Sequence, residues 1–441
     1  MVKKKLTQYV CISCGNLASK WSGQCGACGE WNSLEEDRSS KASGSLLEVR
    51  SVDYDFDPEL RIKTNYSEMD RVLGGGLISG SIALISGNPG VGKSTLLLQL
   101  LAGISKGSAQ CLYVSGEESA RQISIRARRL GIDAGSILLM SAAAIDDIIK
   151  TISAMQGKIG FLVIDSIQTM CTNQLGSAPG TIAQVRFCAA KLAEMAKELN
   201  ITLILVGHIN KDGQIAGPKT LEHMVDVVLT FEGNDQFRML RSTKNRFGAS
   251  NEIAVFEMRS DGLKEMHNPS ELFLSEYSPS SGCVVFAGME GTRPILVEIQ
   301  ALVAPSYMAI PRRAVVGWDS NRLAMIVAIL NSRYGLSLGD KEIYLSVTGG
   351  IKIQEPAADL AVALALVSAV LDVVIPRNFV VLGELCLSGM VRAVPSIQSR
   401  LKEASKIGFK DAIIPKGAKN LEASGINTHR ISHIKEIKNF I

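Results

Sequence analysis

Residues 87–94 read Gly-Asn-Pro-Gly-Val-Gly-Lys-Ser, which matches G-x-x-x-x-G-K-[ST] at every defined position. The glycines let the backbone turn so that successive N–H groups face phosphate oxygens. Lys93 places an ammonium on the outer phosphates, and Ser94 offers a hydroxyl to Mg2+. The apolar stretch Ser81–Ser86 reads as a buried strand, and Thr95–Ile104 opens a helix whose N-terminal dipole favours an anion. Strand, loop and helix together predict a site for ATP and Mg2+. Its cradle is Gly87, Asn88, Pro89, Gly90, Val91, Gly92, Lys93, Ser94 and Thr95.

Outward from this loop, short apolar runs alternate with longer amphipathic stretches. Ile82–Ser86, Cys111–Ser115, Phe161–Asp165 and Leu203–Gly207 read as strands, and their alternation with helices predicts an α/β fold with a mostly parallel sheet. Beyond Asp226 the runs VVLTFEG, QFRMLRSTKN and EIAVFEM are closely spaced and read as antiparallel hairpins extending that sheet. Ligands of such sheets sit at the carboxyl ends of the strands. Asp165 closes the strand FLVID and suits a carboxylate near Mg2+. Glu117 and Glu118 follow the strand Cys111–Ser115. Either can activate water as a general base, with Glu117 preferred, or both serve as first-turn helix carboxylates that the dipole favours. His208, after the strand LILV, is read either as a γ-phosphate contact or as a solvated strand end. The Arg126–Arg129 run spans more than one helix face and reads as solvent-exposed.

The chain has 441 residues, 46% hydrophobic and 20% charged, with net charge +4. That length implies more than one domain, and so weak a basic excess neither requires nor excludes nucleic acid. The start MVKKKLTQYVC has no apolar stretch behind its basic run, so no secretory leader is expected. Leu360–Leu371 is too short for a bilayer and reads as a buried helix. Of nine cysteines, Cys11, Cys14, Cys25 and Cys28 form two C-x-x-C knuckles, the pattern of a tetrahedral Zn2+ site. A module so small requires its metal to fold. Trp21 and Trp31 beside it either cover the module or stack on a base. An odd cysteine count without a leader points to a reducing compartment, the cytoplasm, and no membrane association is expected. The expected organisation is a zinc finger at 1–33, a linker at 34–55 with a polar, Ser-rich start, an ATPase domain at 56–265 and a further domain at 266–441. The last mixes strands (Cys283–Ala287, Ile295–Gln300, Glu342–Val347, Phe379–Gly383) with helices near 320–334, 356–371 and 396–407.

The four-cysteine finger, MDRVLGGGL (69–77), the phosphate loop, YVSGEES (113–119), VIDSIQT (164–170) and KNRFG (244–248) occur in this order. Together they resemble the bacterial RadA (Sms) DNA-repair ATPases across nearly the whole chain. The resemblance implies a RecA-type core and a C-terminal Lon-peptidase-like α+β domain. It also implies a hexameric ring that binds single-stranded DNA, promotes branch migration of recombination intermediates and works with the RecA recombinase. By the same resemblance Glu117 is the catalytic glutamate, Asp165 belongs to the second nucleotide motif, and the stretches after Met170 and His208 are mobile DNA-facing loops. Lys244 and Arg246, two residues apart on a strand, face one side. Their target is a neighbouring subunit's nucleotide or a DNA phosphate, unless they form a plain solvated basic strand.

A working Lon-type peptidase carries a serine in a G-P-S-A-G-like turn and a lysine base. Here Glu355-Pro356-Ala357-Ala358-Asp359 puts Ala357 at the serine position, and Gln398 falls at the lysine position. Neither can perform nucleophilic or base chemistry, so peptidase activity is not expected. Arg312, Arg313, Arg333 and Lys352 are basic groups of this region with solvation as their default. Three functions stay in competition: a DNA-dependent ATPase motor, an ATP-dependent Lon-like protease, and a nucleotide-switched assembly without motor activity.

Overall fold

The computed structural model describes residues 9–36, 61–105, 110–133, 135, 137–155, 157–208, 219–233, 237–274, 277–419, 421 and 425–441. Most of the expected linker and the segment directly after His208 lie outside the described residues. The chain forms two compact units, Met1–Met266 and His267–Ile441.

In the first unit a nine-stranded sheet is built around the Ile82–Gly87 strand. Its neighbours are Thr202–His208 on one side and Val227–Gly233 on the other. The order continues from Thr202–His208 through Ile159–Asp165 and Gln110–Ser115 to Ile137–Ser141, all parallel. One strand thus separates the phosphate-loop strand from the strand ending in Asp165, the arrangement of a RecA-type core. Alternation drives the packing, because successive side chains point to opposite faces. Ala83 and Ile85 join one core cluster with Leu96, Leu97, Leu100 and Leu101 of the Lys93–Ile104 helix. Ile82 and Leu84 join the other, with Val185, Cys188 and Leu192 of the Ile182–Glu198 helix. Strands covered on both faces read as continuous apolar runs, and each buried leucine contributes about 2 kcal/mol.

The runs beyond Asp226 form antiparallel hairpins that extend the sheet, as expected: Val227–Gly233 pairs antiparallel with Phe237–Asn245, which pairs with Ile253–Arg259, which pairs with Gly262–Met266. Val227–Gly233 joins the sheet by lying parallel to Ile82–Gly87, on the side away from Thr202–His208. The edge strands Ile137–Ser141 and Gly262–Met266 were not anticipated.

The amino-terminal ribbon is a three-stranded antiparallel sheet of Tyr9–Cys11, Leu17–Ala18 and Leu34–Glu36. Its apolar content is small, with Cys11, Cys25 and Leu34 as the buried hydrophobic residues.

The second unit holds a seven-stranded mixed sheet. Helix Asp359–Leu371 lies on its Cys283–Glu290 and Arg293–Pro305 strands and is buried all round from Asp359 to Ser368. An evenly apolar sequence with no polar face demands this. The Phe379 strand ends at Val381 rather than Gly383. There the chain leaves the sheet to meet the start of that helix, Gly383 N donating to Ala357 O and Leu360 N to Gly383 O. Among the described residues no helix is long and apolar enough to cross a membrane.

Candidate nucleotide site and metal centre

The phosphate loop leaves the buried Ile82–Gly87 strand and turns into its helix at Gly92, whose φ of 107° only glycine adopts without strain. Lys93 is 5% exposed. Its Nζ donates to Gly87 O (2.8 Å) and Asn88 O (3.0 Å) and lies 3.2 Å from His208 Nδ1. Burial pulls its pKa below the usual lysine value, while the nearby Asp165 and Glu117 carboxylates pull it back up. Ser94 Oγ donates to Asp165 Oδ2 at 2.7 Å. The Tyr113 hydroxyl donates to the same oxygen. Burial, reinforced by Asp165, pushes the Tyr113 phenol well above its ordinary pKa, so it acts as a fixed donor. Tyr113 was not picked out from the sequence. Its signal was a phenol inside the otherwise apolar buried run Cys111–Val114.

Glu117 projects from the turn after Ser115 and is 46% exposed. Its Oε1 accepts from Ser166 Oγ at 2.6 Å and lies 3.3 Å from His208 Nε2. His208 therefore bridges Lys93 and Glu117. An ammonium has only protons to give, so Nδ1 accepts from Lys93 and Nε2–H faces Glu117. Glu118 points elsewhere and is held by both terminal nitrogens of Arg126. That corrects the reading of Arg126 as solvent-exposed, since its side chain is 25% exposed. Arg128 and Arg129 are exposed as expected. Arg238, also missed, donates from Nε to Val91 O of the loop at 2.8 Å.

Lys244 and Arg246 lie away from this cluster. Lys244 pairs with Val228, which pairs with Leu84. That is three residues below Gly87, about 10 Å at the strand rise. Lys244 Nζ donates to Glu222 O (2.6 Å) and Val225 O (2.7 Å). The strand ends at Asn245, so Arg246 escapes the two-residue period. Its Nη1 lies 3.2 Å from Asp226 Oδ1, and it is 57% exposed. Asp226 Oδ2 in turn accepts from Ile82 N at the base of the loop strand. The expectation that the two cations reach one target side by side is corrected, because they have separate partners.

The four cysteine sulfurs lie within 4.8 Å of one another, with Cys11–Cys28 at 3.6 Å and Cys14–Cys25 at 3.7 Å. A tetrahedron with Zn–S bonds of about 2.3 Å has sulfurs ~3.8 Å apart, so this donor set fits the ion. Trp21 donates from Nε1 to Leu34 O at 3.1 Å, packing against the ribbon, and both tryptophans are largely exposed.

In the second unit Ala357 is 2% exposed. Two ion pairs, each with one buried partner, flank it. Arg400 is 1% exposed and grips Glu355 through both carboxylate oxygens (2.9 and 2.5 Å). Arg322 grips Asp359 the same way (2.5 and 2.6 Å). Burial raises the Asp359 pKa, against the pull of Arg322. Arg400 and Gln398 share the Ile397–Ile407 helix, so the Glu355–Arg400 pair joins the two stretches compared with the Lon dyad. Arg312, Arg313, Arg333 and Lys352 are exposed.

Three family models match the chain: an AAA domain over residues 50–214, a rubredoxin metal binding domain over 9–36, and subunit ChlI of Mg-chelatase over 308–418. Along its length the chain is similar to curated proteins called DNA repair protein RadA. The one from Rickettsia bellii is 50% identical, covering 99% of this chain and 99% of that protein. Those from Brucella abortus (49%; 95% and 93%) and Bacillus subtilis (45%; 99% and 98%) are similarly close. Among solved structures it is similar to a KaiC-like protein of Pyrococcus horikoshii, with 21% identity, TM-score 0.41, 47% of this chain and 98% of that one.

Proposed function

The chain belongs to the bacterial RadA family of DNA-repair ATPases, and on that premise we propose that it is a DNA-stimulated ATP hydrolase that binds single strands and drives branch migration of recombination intermediates. The observation that carries this reading is the convergence of Lys93, Ser94, Asp165 and Glu117 on one open edge of the sheet.

In this reading Lys93 leaves the loop carbonyls for the β- and γ-phosphates, while the loop N–H groups cradle them. Ser94 and Asp165, already 2.7 Å apart, are the pair that holds Mg2+, which supplies charge neutralisation when bound. Tyr113 keeps the Asp165 carboxylate oriented. Glu117 takes a proton from the attacking water, with Ser166 and His208 setting its direction.

Lys244 stands about 10 Å below the loop of its own chain and Arg246, against Asp226 at the level of Ile82, about 16 Å below it. Their place supports a role toward a neighbouring copy in a hexameric ring, or toward DNA. Arg246, with its larger exposure, is the better placed of the two to reach outward. The finger holds Zn2+ through Cys11, Cys14, Cys25 and Cys28. The second unit works as a scaffold without peptidase chemistry, since Ala357 offers no nucleophile and the charged groups beside it are spent in internal pairs.

A branch-migration assay on a three-strand intermediate tests the reading. The wild type with ATP should extend the heteroduplex, and Lys93→Ala should not. Extension of equal length by Lys93→Ala would reject the motor role.

A further inference from the structure

Ten residues, Thr172–Thr181, leave the carboxyl edge of the sheet just after the turn Ile167–Thr169. This segment is not loosely held. Its frame is one side chain, Gln184, which is 1% exposed in the first turns of the Ile182–Glu198 helix. Gln184 Oε1 accepts from Thr172 N at 3.1 Å. Nε2 donates to Ser177 O (2.8 Å) and Thr172 O (3.1 Å), with Leu175 O at 3.4 Å. A single amide thus mimics a strand partner for the segment's backbone, whose polar groups need partners once buried. A second brace comes from Asp146, which accepts from Thr172 Oγ1 (2.6 Å) and Gln174 Nε2 (2.7 Å). These hydrogen bonds tie down the start of the stretch after Met170 that the family resemblance pointed to.

What the frame presents outward is polar and small. Asn173, Gln174, Ala178, Pro179, Gly180 and Thr181 are exposed, with Arg186 one helical turn on. The Asn173 and Gln174 amides and the Arg186 guanidinium are donors suited to phosphate and sugar oxygens, contacts that position nucleic acid without reading its sequence, while the Thr181 hydroxyl donates within the segment to Ala178 O. We infer that Gln184 is a positioning residue for single-stranded DNA: buried and touching no ligand, it holds Thr172–Thr181 in the shape that a strand recognises. This rests on the functional reading above and deepens it.

The geometry separates affinity from chemistry. Without the frame the segment must be ordered at each binding event, which costs affinity, while Lys93, Asp165 and Glu117 keep their own partners. The test uses the full-length protein with Gln184→Met, which keeps volume and removes both hydrogen-bonding functions. Gln184→Glu, which keeps the acceptor and sets a carboxylate against carbonyl oxygens, is the second variant. ATP turnover is titrated with single-stranded oligonucleotide. Basal turnover should stay within about twofold of wild type, and turnover at saturating oligonucleotide should match it. The oligonucleotide concentration for half-stimulation should rise on the order of tenfold in both variants. Protease cleavage within 172–181 should quicken in the same variants. Unchanged half-stimulation, or a loss of basal turnover in both variants, overturns the proposal. A wild type that ignores single strands overturns the functional reading and this inference with it.

Discussion

Two places in this chain bring a loop into the start of a buried helix, and they end in opposite states. At Gly87–Ser94 the polar groups converge on the carboxyl edge of the sheet: Lys93, His208 and Glu117 form one hydrogen-bonded chain, and Ser94 and Asp165 a pair beside it. At Glu355–Asp359 the charged groups turn inward. Glu355 and Asp359 are each consumed by an arginine, and Ala357 between them is sealed. Charge that is paired within the fold holds a structure together. Charge that meets at an open edge, with lysine folded onto its own loop carbonyls, is available to a ligand.

The contrast can be broken most severely at the loop. Lys93→Ala should lower ATP turnover by at least ~10³-fold, measured by phosphate release, and turnover near wild type would remove the nucleotide assignment. Glu117→Gln should cost roughly 10²–10⁴-fold in turnover while nucleotide binding persists. Lost binding would make Glu117 structural instead. On the other side of the comparison, Arg400→Met removes a buried guanidinium and leaves the partly exposed Glu355 carboxylate without its partner, and should destabilise the fold by about 2–3 kcal/mol, read from urea unfolding. A cost under about 1 kcal/mol would mean that Glu355 is solvated and the site open after all. Arg246→Ala should bind nucleotide as well as wild type and lose stimulation by single strands, and unaltered stimulation would reject its outward role. The smallest expected effect is none. Ala357→Ser combined with Gln398→Lys should leave casein intact, because the flanking ion pairs still close the site. Casein cleavage by that variant would show a peptidase site merely disarmed.

The α/β class, the RecA-type core and the cysteine module were legible in the sequence because each rests on local spacing. A glycine-rich turn between a strand and a helix, or two C-x-x-C knuckles, needs no knowledge of distant residues. What escaped depends on partners far apart in the chain. The pairing of Glu118 with Arg126 hides in a run of basic residues that reads as surface. That Val227–Gly233 joins the sheet parallel to Ile82–Gly87 depends on a pairing between distant stretches, which an apolar run alone does not encode. Lys244 and Arg246 look like neighbours on one face until the strand ends at Asn245 between them. Gln184 resembles any helix glutamine, and its role emerges only when the segment folded over it is seen.

Metal removal sharpens the account at the ribbon. Chelation should release about one Zn2+ per chain and unfold a module whose apolar core is three residues. The most direct test of the central claim is ATP turnover by the wild type with and without single-stranded DNA, with casein present as a second substrate. The account predicts stimulation by DNA and intact casein. Turnover indifferent to DNA, or casein cleaved in step with ATP, would contradict it.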